Sequence, residues 1–243
     1  MTLIVGLRCG DGSVLMCSDR EESDQVAKRS VDKLFRIRLK QGMFLVGGAG
    51  RSSILANAFM RLEAALKAAD EKEDNPLLDS HRDVIETVLY QIYESYIWGR
   101  HDENERGVQL VVAGAFRAPQ SAPFLYVTDG DVLYPQQLYA CAGSGQDLAY
   151  YFVDKLFHQH LSREVAALLA AFVFREVSGS VGGVGLGMDM FLLGPEGQSL
   201  YSIPHQKVPE LEKAVPDLGD TIANAWNGDN IVIPTWLTDL FKK

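Results

Sequence analysis

Basic residues are scarce: 23 Lys and Arg stand against 32 Asp and Glu, a formal net charge of −9 over 243 residues. That balance excludes a general nucleic-acid binder, which needs a basic face to neutralise phosphates. Long apolar runs are missing too. None approaches the ~20 residues that cross a bilayer, so no membrane partner is expected. Only three cysteines occur, Cys9, Cys17 and Cys141, each inside an apolar strand-like run. This odd, scattered set offers no disulfide frame and no Cys-x-x-Cys metal pair, and points to reduced, buried thiols in a cytoplasmic protein. The amino terminus, MTLIVGLRCGDG, lacks the basic start and small-residue cleavage site of a secretory signal. The five histidines (His81, His101, His158, His160 and His205) form no HExxH pattern, and no GxxxxGK[ST] segment is present. Neither a metal nor another cofactor is expected.

What remains is an ordinary globular balance, 47% hydrophobic and 23% charged. Leu3–Cys9 and Val14–Ser18 flank the turn Gly10-Asp11-Gly12 and read as a hairpin. Lys33–Ile37 and Met43–Gly47 read as a second strand pair, closed by the corner Gly47-Gly48-Ala49-Gly50. The period then becomes helical: Ile54, Leu55, Phe59, Leu62 and Leu66 form one ladder, and Val84, Val88, Ile92 and Tyr96 belong to another that starts near Asp79 or Ser80. Strands return at Val108–Phe116, Phe124–Thr128 and Leu138–Ala142, followed by helices from Gly145 to about His160 and over Ser162–Val177. A glycine-rich loop, Ser178–Gly187, leads to a final hairpin of Met188–Leu193 and Ser199–Ile203. In the Pro-punctuated tail, one short helix is expected around Leu218–Trp226. Strands come in antiparallel-looking blocks rather than alternating singly with helices, which disfavours a doubly wound parallel sheet. The expected fold is α+β: a four-layer sandwich of two sheets, each covered by a helix pair. Residues 1–204 form its domain and residues 205–243 a carboxy-terminal extension packed on it.

Two segments carry candidate chemistry. Thr2 follows the initiator Met, and methionine aminopeptidases generally remove Met before so small a residue. A threonine freed in this way holds nucleophile and base together, because its α-amine (unperturbed pKa ~7.7–8.0) can accept its hydroxyl proton. A nearby ammonium would lower the amine's proton affinity, and a Gly-rich corner offers backbone N–H groups to an oxyanion. The second candidate reads FLVGGAGRSS as a dinucleotide-binding turn, with Gly48, Gly50 and Ser53 in its pattern and Asp70 as the ribose acid. Two consecutive helices follow with no returning strand before residue 107, so the βαβ unit is missing. Blander roles exist for the remaining residues. Lys33 suits a strand-end charge, Asp19 a turn cap, Ser144 a helix N-cap and the Tyr90-Tyr93-Tyr96 ladder a core or subunit contact.

The opening TLIVGLRCGDGSVLMCSDR resembles the first hairpin of the proteasome β-subunit family of N-terminal nucleophile hydrolases. On this resemblance Thr2 takes the nucleophile position and Asp19 that of the family's aspartate. VDKLFRI is similar to the segment bearing the active-site lysine, here Lys33. MFLVGGAG is similar to the strand and turn supplying the oxyanion amide, which falls at Gly47. LYACAGSGQ resembles the later Gly-Ser-Gly motif and places a supporting serine at Ser144. The family's Asp-x-x-Ser-Gly-Gly is replaced by Ser178-Gly179-Ser180-Val181-Gly182-Gly183, leaving Ser178 and Ser180 as supporting candidates. The likeness implies an apolar pocket of Val31, Leu45 and Ala49 for the residue before the cut. It further implies threonine-type hydrolysis of polypeptides in a self-associated ring, with an unfoldase ATPase as a possible partner. The competing expectations are a non-catalytic ring subunit of the same fold, and an amidohydrolase or acyl transferase acting on a non-protein amide.

Overall fold

The computed structural model describes residues 2–23, 27–72, 77–99, 107–117, 122–197, 199–215 and 234–241. In chain order the strands begin with β1 (Ile4–Arg8), β2 (Val14–Asp19), β3 (Glu21–Ser23), β4 (Lys28–Ser30), β5 (Leu34–Arg38) and β6 (Gly42–Ala49). Helices α1 (Ser52–Asp70) and α2 (Leu77–Tyr96) follow, then β7 (Gln109–Phe116), β8 (Phe124–Asp129), β9 (Val132–Pro135) and β10 (Tyr139–Ala142). The chain continues through α3 (Gln146–Leu156), α4 (Arg163–Ser180), β11 (Met188–Leu193), β12 (Leu200–Ile203), α5 (Val208–Ala214) and α6 (Thr235–Phe241).

Two antiparallel five-stranded sheets result, ordered β10-β1-β2-β11-β12 and β5-β6-β7-β8-β9, with β3-β4 as a separate hairpin. Ile4, Met16, Leu45, Val111 and Leu125 meet between the sheets. On the outer face of the second sheet, Phe44, Val46 and Leu110 pack against Phe59, Leu62 and Leu89 of α1 and α2. On the outer face of the first, Val5, Leu7 and Cys17 pack against Phe152, Phe172 and Val173 of α3 and α4. All eight residues of β6 are buried, because one of its faces meets the other sheet and the other meets α1. Its sequence therefore reads as a continuous apolar run instead of an alternating one. The chain is thus the expected α+β four-layer sandwich.

The tail carries two short helices that the sequence reading did not place. Val208, Leu211, Leu237 and Phe241 of α5 and α6 belong to the core cluster that holds α4. Residues 166–174 of α4 are all buried, so this helix is covered on its outer side as well. The helix expected around Leu218–Trp226 lies outside the described residues. Among those described, no helix is long and apolar enough to cross a membrane.

Candidate active site

The first hairpin brings Thr2 and Asp19 together. Strands β1 and β2 pair with Ile4 opposite Ser18, so the residues just beyond each end are neighbours. Leu3 N–H donates to Asp19 Oδ1 at 2.8 Å and Glu21 N–H to Asp19 Oδ2 at 3.1 Å. Lys33, just ahead of β5, closes the group: its ammonium lies 3.0 and 2.9 Å from the two carboxylate oxygens and 2.5 Å from Glu21 O. Asp19 is fully enclosed and Lys33 is 8% exposed. Burial raises the Asp19 pKa above the ordinary carboxylate value, and the Lys33 charge works against that rise.

The turn after β10 supplies the other wall. Thr2 N–H donates to Ser144 Oγ at 3.0 Å, and the Ser144 hydroxyl donates back to Thr2 O at 3.3 Å. Gly143 lets the chain pass this close. Its φ is +97°, and a Cβ there would stand 2.3 Å from Thr2 O, so only glycine fits both the turn and the approach. Gln109 Oε1 accepts from Gly143 N–H at 3.0 Å and fixes the turn to β7.

Thr2, Lys33 and Ser144 all border one cavity of about 880 Å³. Val31 and Ala49 border it too, while Phe35 of β5 with Leu55 and Phe59 of α1 give it an apolar wall. Phe35 and Phe59 stack with ring centroids 3.7 Å apart. Glu22 and Ser52, joined by a hydrogen bond from the Ser52 hydroxyl, cross the rim between β3 and the start of α1.

The fold brings Thr2, Asp19, Lys33, Ser144, Val31 and Ala49 to this place, but not the other four residues expected there. Leu45 is buried between the sheets with Ile4 and Val111. Gly47 shares that side of β6, since a Cβ on it would meet Ile4 Cγ2 at 2.5 Å. Its amide also points away from the cavity. Gly48 N–H donates to Lys33 O on the β5 side, and successive strand residues address opposite neighbours, so Gly47 N–H faces Val111 of β7. Gly48 borders the cavity instead, below Leu55 and Phe59. Ser178 and Ser180 do not border it, because α4 runs through the segment read as a loop. Ser178 is exposed and its hydroxyl donates to Arg175 O at 3.0 Å, as helix residues do toward the preceding turn. Val181 borders the cavity in their place, and Gly185 N–H approaches Asp19 Oδ2 at 3.4 Å. The apolar recurrence of Leu55 and Phe59 was visible in the sequence, but nothing there separated core from cavity wall.

Known proteins of one family resemble this chain. The family model for proteasome subunits matches residues 2–190. The chain is 25% identical over 202 residues to proteasome subunit beta 2 of Korarchaeum cryptofilum, covering 82% of this chain and 95% of that protein. It is 25% identical over 209 residues to proteasome subunit beta 2 of Aeropyrum pernix, covering 85% and 88%. Among solved structures, a mutant of Anbu from Hyphomicrobium sp. strain MC1 superimposes with a TM-score of 0.72 at 14% identity, covering 93% of this chain and 97% of that one. Anbu, the ancestral beta-subunit from Yersinia bercovieri, gives 0.71 at 13% identity, covering 91% and 95%. The chain belongs to the proteasome subunit family.

Proposed function

We propose that this member of the proteasome subunit family is a threonine peptidase whose nucleophile is Thr2, exposed by removal of Met1. The observation that carries the reading is that Thr2 N, 3.0 Å from Ser144 Oγ, borders the same cavity as a lysine held by a buried carboxylate. In this mechanism the free α-amine accepts the Thr2 hydroxyl proton as Oγ attacks the peptide carbonyl. The tetrahedral intermediate collapses to an ester on Oγ, and the proton passes to the departing amine. Water then attacks the ester with the same amine as base and restores the hydroxyl. Lys33 keeps the amine unprotonated near neutral pH, Asp19 holds Lys33, and Ser144 orients the amine.

For the oxyanion, we assign the Gly48 N–H in place of Gly47. Gly48 borders the cavity and Gly47 does not; the Gly48 N–H lies on the β5 side, where it donates to Lys33 O at 3.2 Å. The wall of Phe35, Leu55 and Phe59 suits a bulky apolar side chain before the cut. The named relatives are proteasome subunits, which supports self-association into a ring. Three buried, unpaired thiols suit a reducing compartment such as the cytoplasm.

Intact-mass measurement and a Thr-directed epoxyketone probe test the reading together. The expected result is loss of Met1, labelling at Thr2, and loss of labelling and turnover in Thr2→Ala. Full activity in Thr2→Ala, or a retained Met1 in active protein, overturns it. Native mass spectrometry tests the ring, for which a monomer at micromolar concentration is the contrary result.

A further inference from the structure

Arg20 does not border the cavity, yet it joins the segments that surround it. Its N–H lies 3.1 Å from both Gly185 O and Gly187 O, and its carbonyl accepts from Val31 N–H at 2.9 Å. Its guanidinium donates through Nε to Ser30 Oγ at 2.9 Å, and pairs with Asp189 Oδ1 at 2.5 Å and Asp32 Oδ1 at 2.8 Å. Asp189 lies on β11, where it stands opposite Ser18 of β2, so that arm is anchored in a central sheet. The neighbours of Arg20 hold Lys33 directly, Asp19 by its carboxylate and Glu21 by its carbonyl. Residues 19–21 and 31–33 are thereby linked position by position, through one backbone bond, one ion pair and the bonds of one ammonium. A rigid fork holds its donors toward two carboxylates and a hydroxyl in fixed geometry, whereas an ammonium is a point charge on a flexible stem.

We infer that Arg20 is a positioning residue for Lys33: by tying Asp32 to Asp189, it fixes the segment from which the lysine reaches the Thr2 end of the cavity. The Arg20–Asp32 arm adds little stability, since the Asp32 side chain is 72% exposed. Its consequence is geometric. The effect on turnover rests on the reading above, in which the Thr2 amine is the base. The charged groups around that end are Lys33 with Asp19, Glu21 with Lys28, Glu22, Asp32 with Arg20 and Asp189, and Arg51.

Asp32→Ala separates positioning from simple charge, because the two act with opposite sign. Loss of a nearby carboxylate by itself disfavours a protonated amine and moves the acid limb of kcat/KM to lower pH. Release of Lys33 removes a repelling cation and moves the limb to higher pH. The expected result is an upward shift of about half a pH unit, which is roughly a threefold loss of kcat/KM on that limb. A downward shift, or none, overturns the inference.

A second readout does not need turnover. In wild type the enclosed, hydrogen-bonded Lys33 ammonium should give slowly exchanging 15N-coupled protons, and exchange should be at least ~10-fold faster in Asp32→Ala and Arg20→Lys. Unchanged exchange in both variants overturns the positioning role. If wild type shows no Thr2-dependent turnover, the functional reading falls, and the exchange measurement alone decides the role of Arg20.

Discussion

Asp19 and Lys33 form a buried pair in which the aspartate is fully enclosed and accepts the ammonium on both oxygens, at 3.0 and 2.9 Å. Breaking one side of such a pair leaves an uncompensated charge and costs about 3–5 kcal/mol. Lys33→Met should therefore lose that much stability at pH 8 and all turnover. Its pH dependence has a definite sign. The folded pKa of Asp19 is already raised by burial, and losing Lys33 raises it further. A raised carboxyl pKa contributes stability that is full below the unfolded value of ~3.9 and is lost as pH rises through the folded value. Urea unfolding of Lys33→Met should consequently show a smaller deficit at pH 5 than at pH 8. A deficit that grows on acidification contradicts this account.

The thiols behave as buried apolar groups. Burial pushes Cys9 up to about 11 and Cys17 and Cys141 up as well. A thiol reagent at pH 8 should leave all three unmodified in the native protein and label three after denaturation. By the same linkage the stabilising contribution is full below the unfolded thiol value of ~8.5 and falls as pH rises through the folded ones. Thermal stability should decline above pH 9. Cys9→Ala, which removes one such group, should show a shallower decline.

Gly143 and Thr2 test the close approach at the nucleophile. Gly143→Ala adds a Cβ 2.3 Å from Thr2 O at a φ of +97°. The strain should cost about 1–3 kcal/mol in stability and displace Thr2. Turnover and probe labelling are expected to fall at least ~100-fold, a loss characteristic of misplaced reacting groups. Retention of near wild-type labelling would remove Gly143 from the account.

Leu45 and Ala56 separate core from cavity wall. Leu45 is enclosed between the sheets, so Leu45→Ala should cost about 2–5 kcal/mol while leaving the ranking of peptide substrates unchanged. Ala56, on α1, borders the cavity and is exposed. Ala56→Trp should leave the melting temperature near wild type and raise KM for peptides with bulky apolar residues before the cut by roughly tenfold, about 1.4 kcal/mol. A changed substrate ranking in Leu45→Ala, with none in Ala56→Trp, would reverse the assignment.

The layered architecture was legible because its strands are apolar and its helices amphipathic. The β3–β4 hairpin was not, since EES and KRS carry no apolar alternation, and its shape comes from Arg20 and the Lys33 segment. Strand β9 was missed for a related reason. It is four residues long and ends in Pro135, and its edge is held by α2, where Glu86 accepts from Leu133 N–H and Arg82 donates to Leu133 O. The helical extent of α4 past Val177 was hidden by Ser178-Gly179-Ser180, whose low helix propensity is outweighed by the packing of the preceding turns.

By itself the sequence determined the order of the site's parts. Local chemistry dictates the hairpin, the strand entry and the tight turn in which Asp19, Lys33 and Ser144 stand, while their grouping with Thr2 was implied by the resemblance to the proteasome β-subunit family. The tertiary structure alone decided which residues of β6 face the cavity. Side chains in a strand alternate, so Leu45, Gly47 and Ala49 share the face turned to the other sheet, but only Ala49, at the end of β6, reaches the cavity, while Gly48 borders it from the α1 face. The four consecutive apolar residues Met43–Val46 carry no mark of which face is which. Only the sheet packed on one side of β6 and the helix packed on the other supply it.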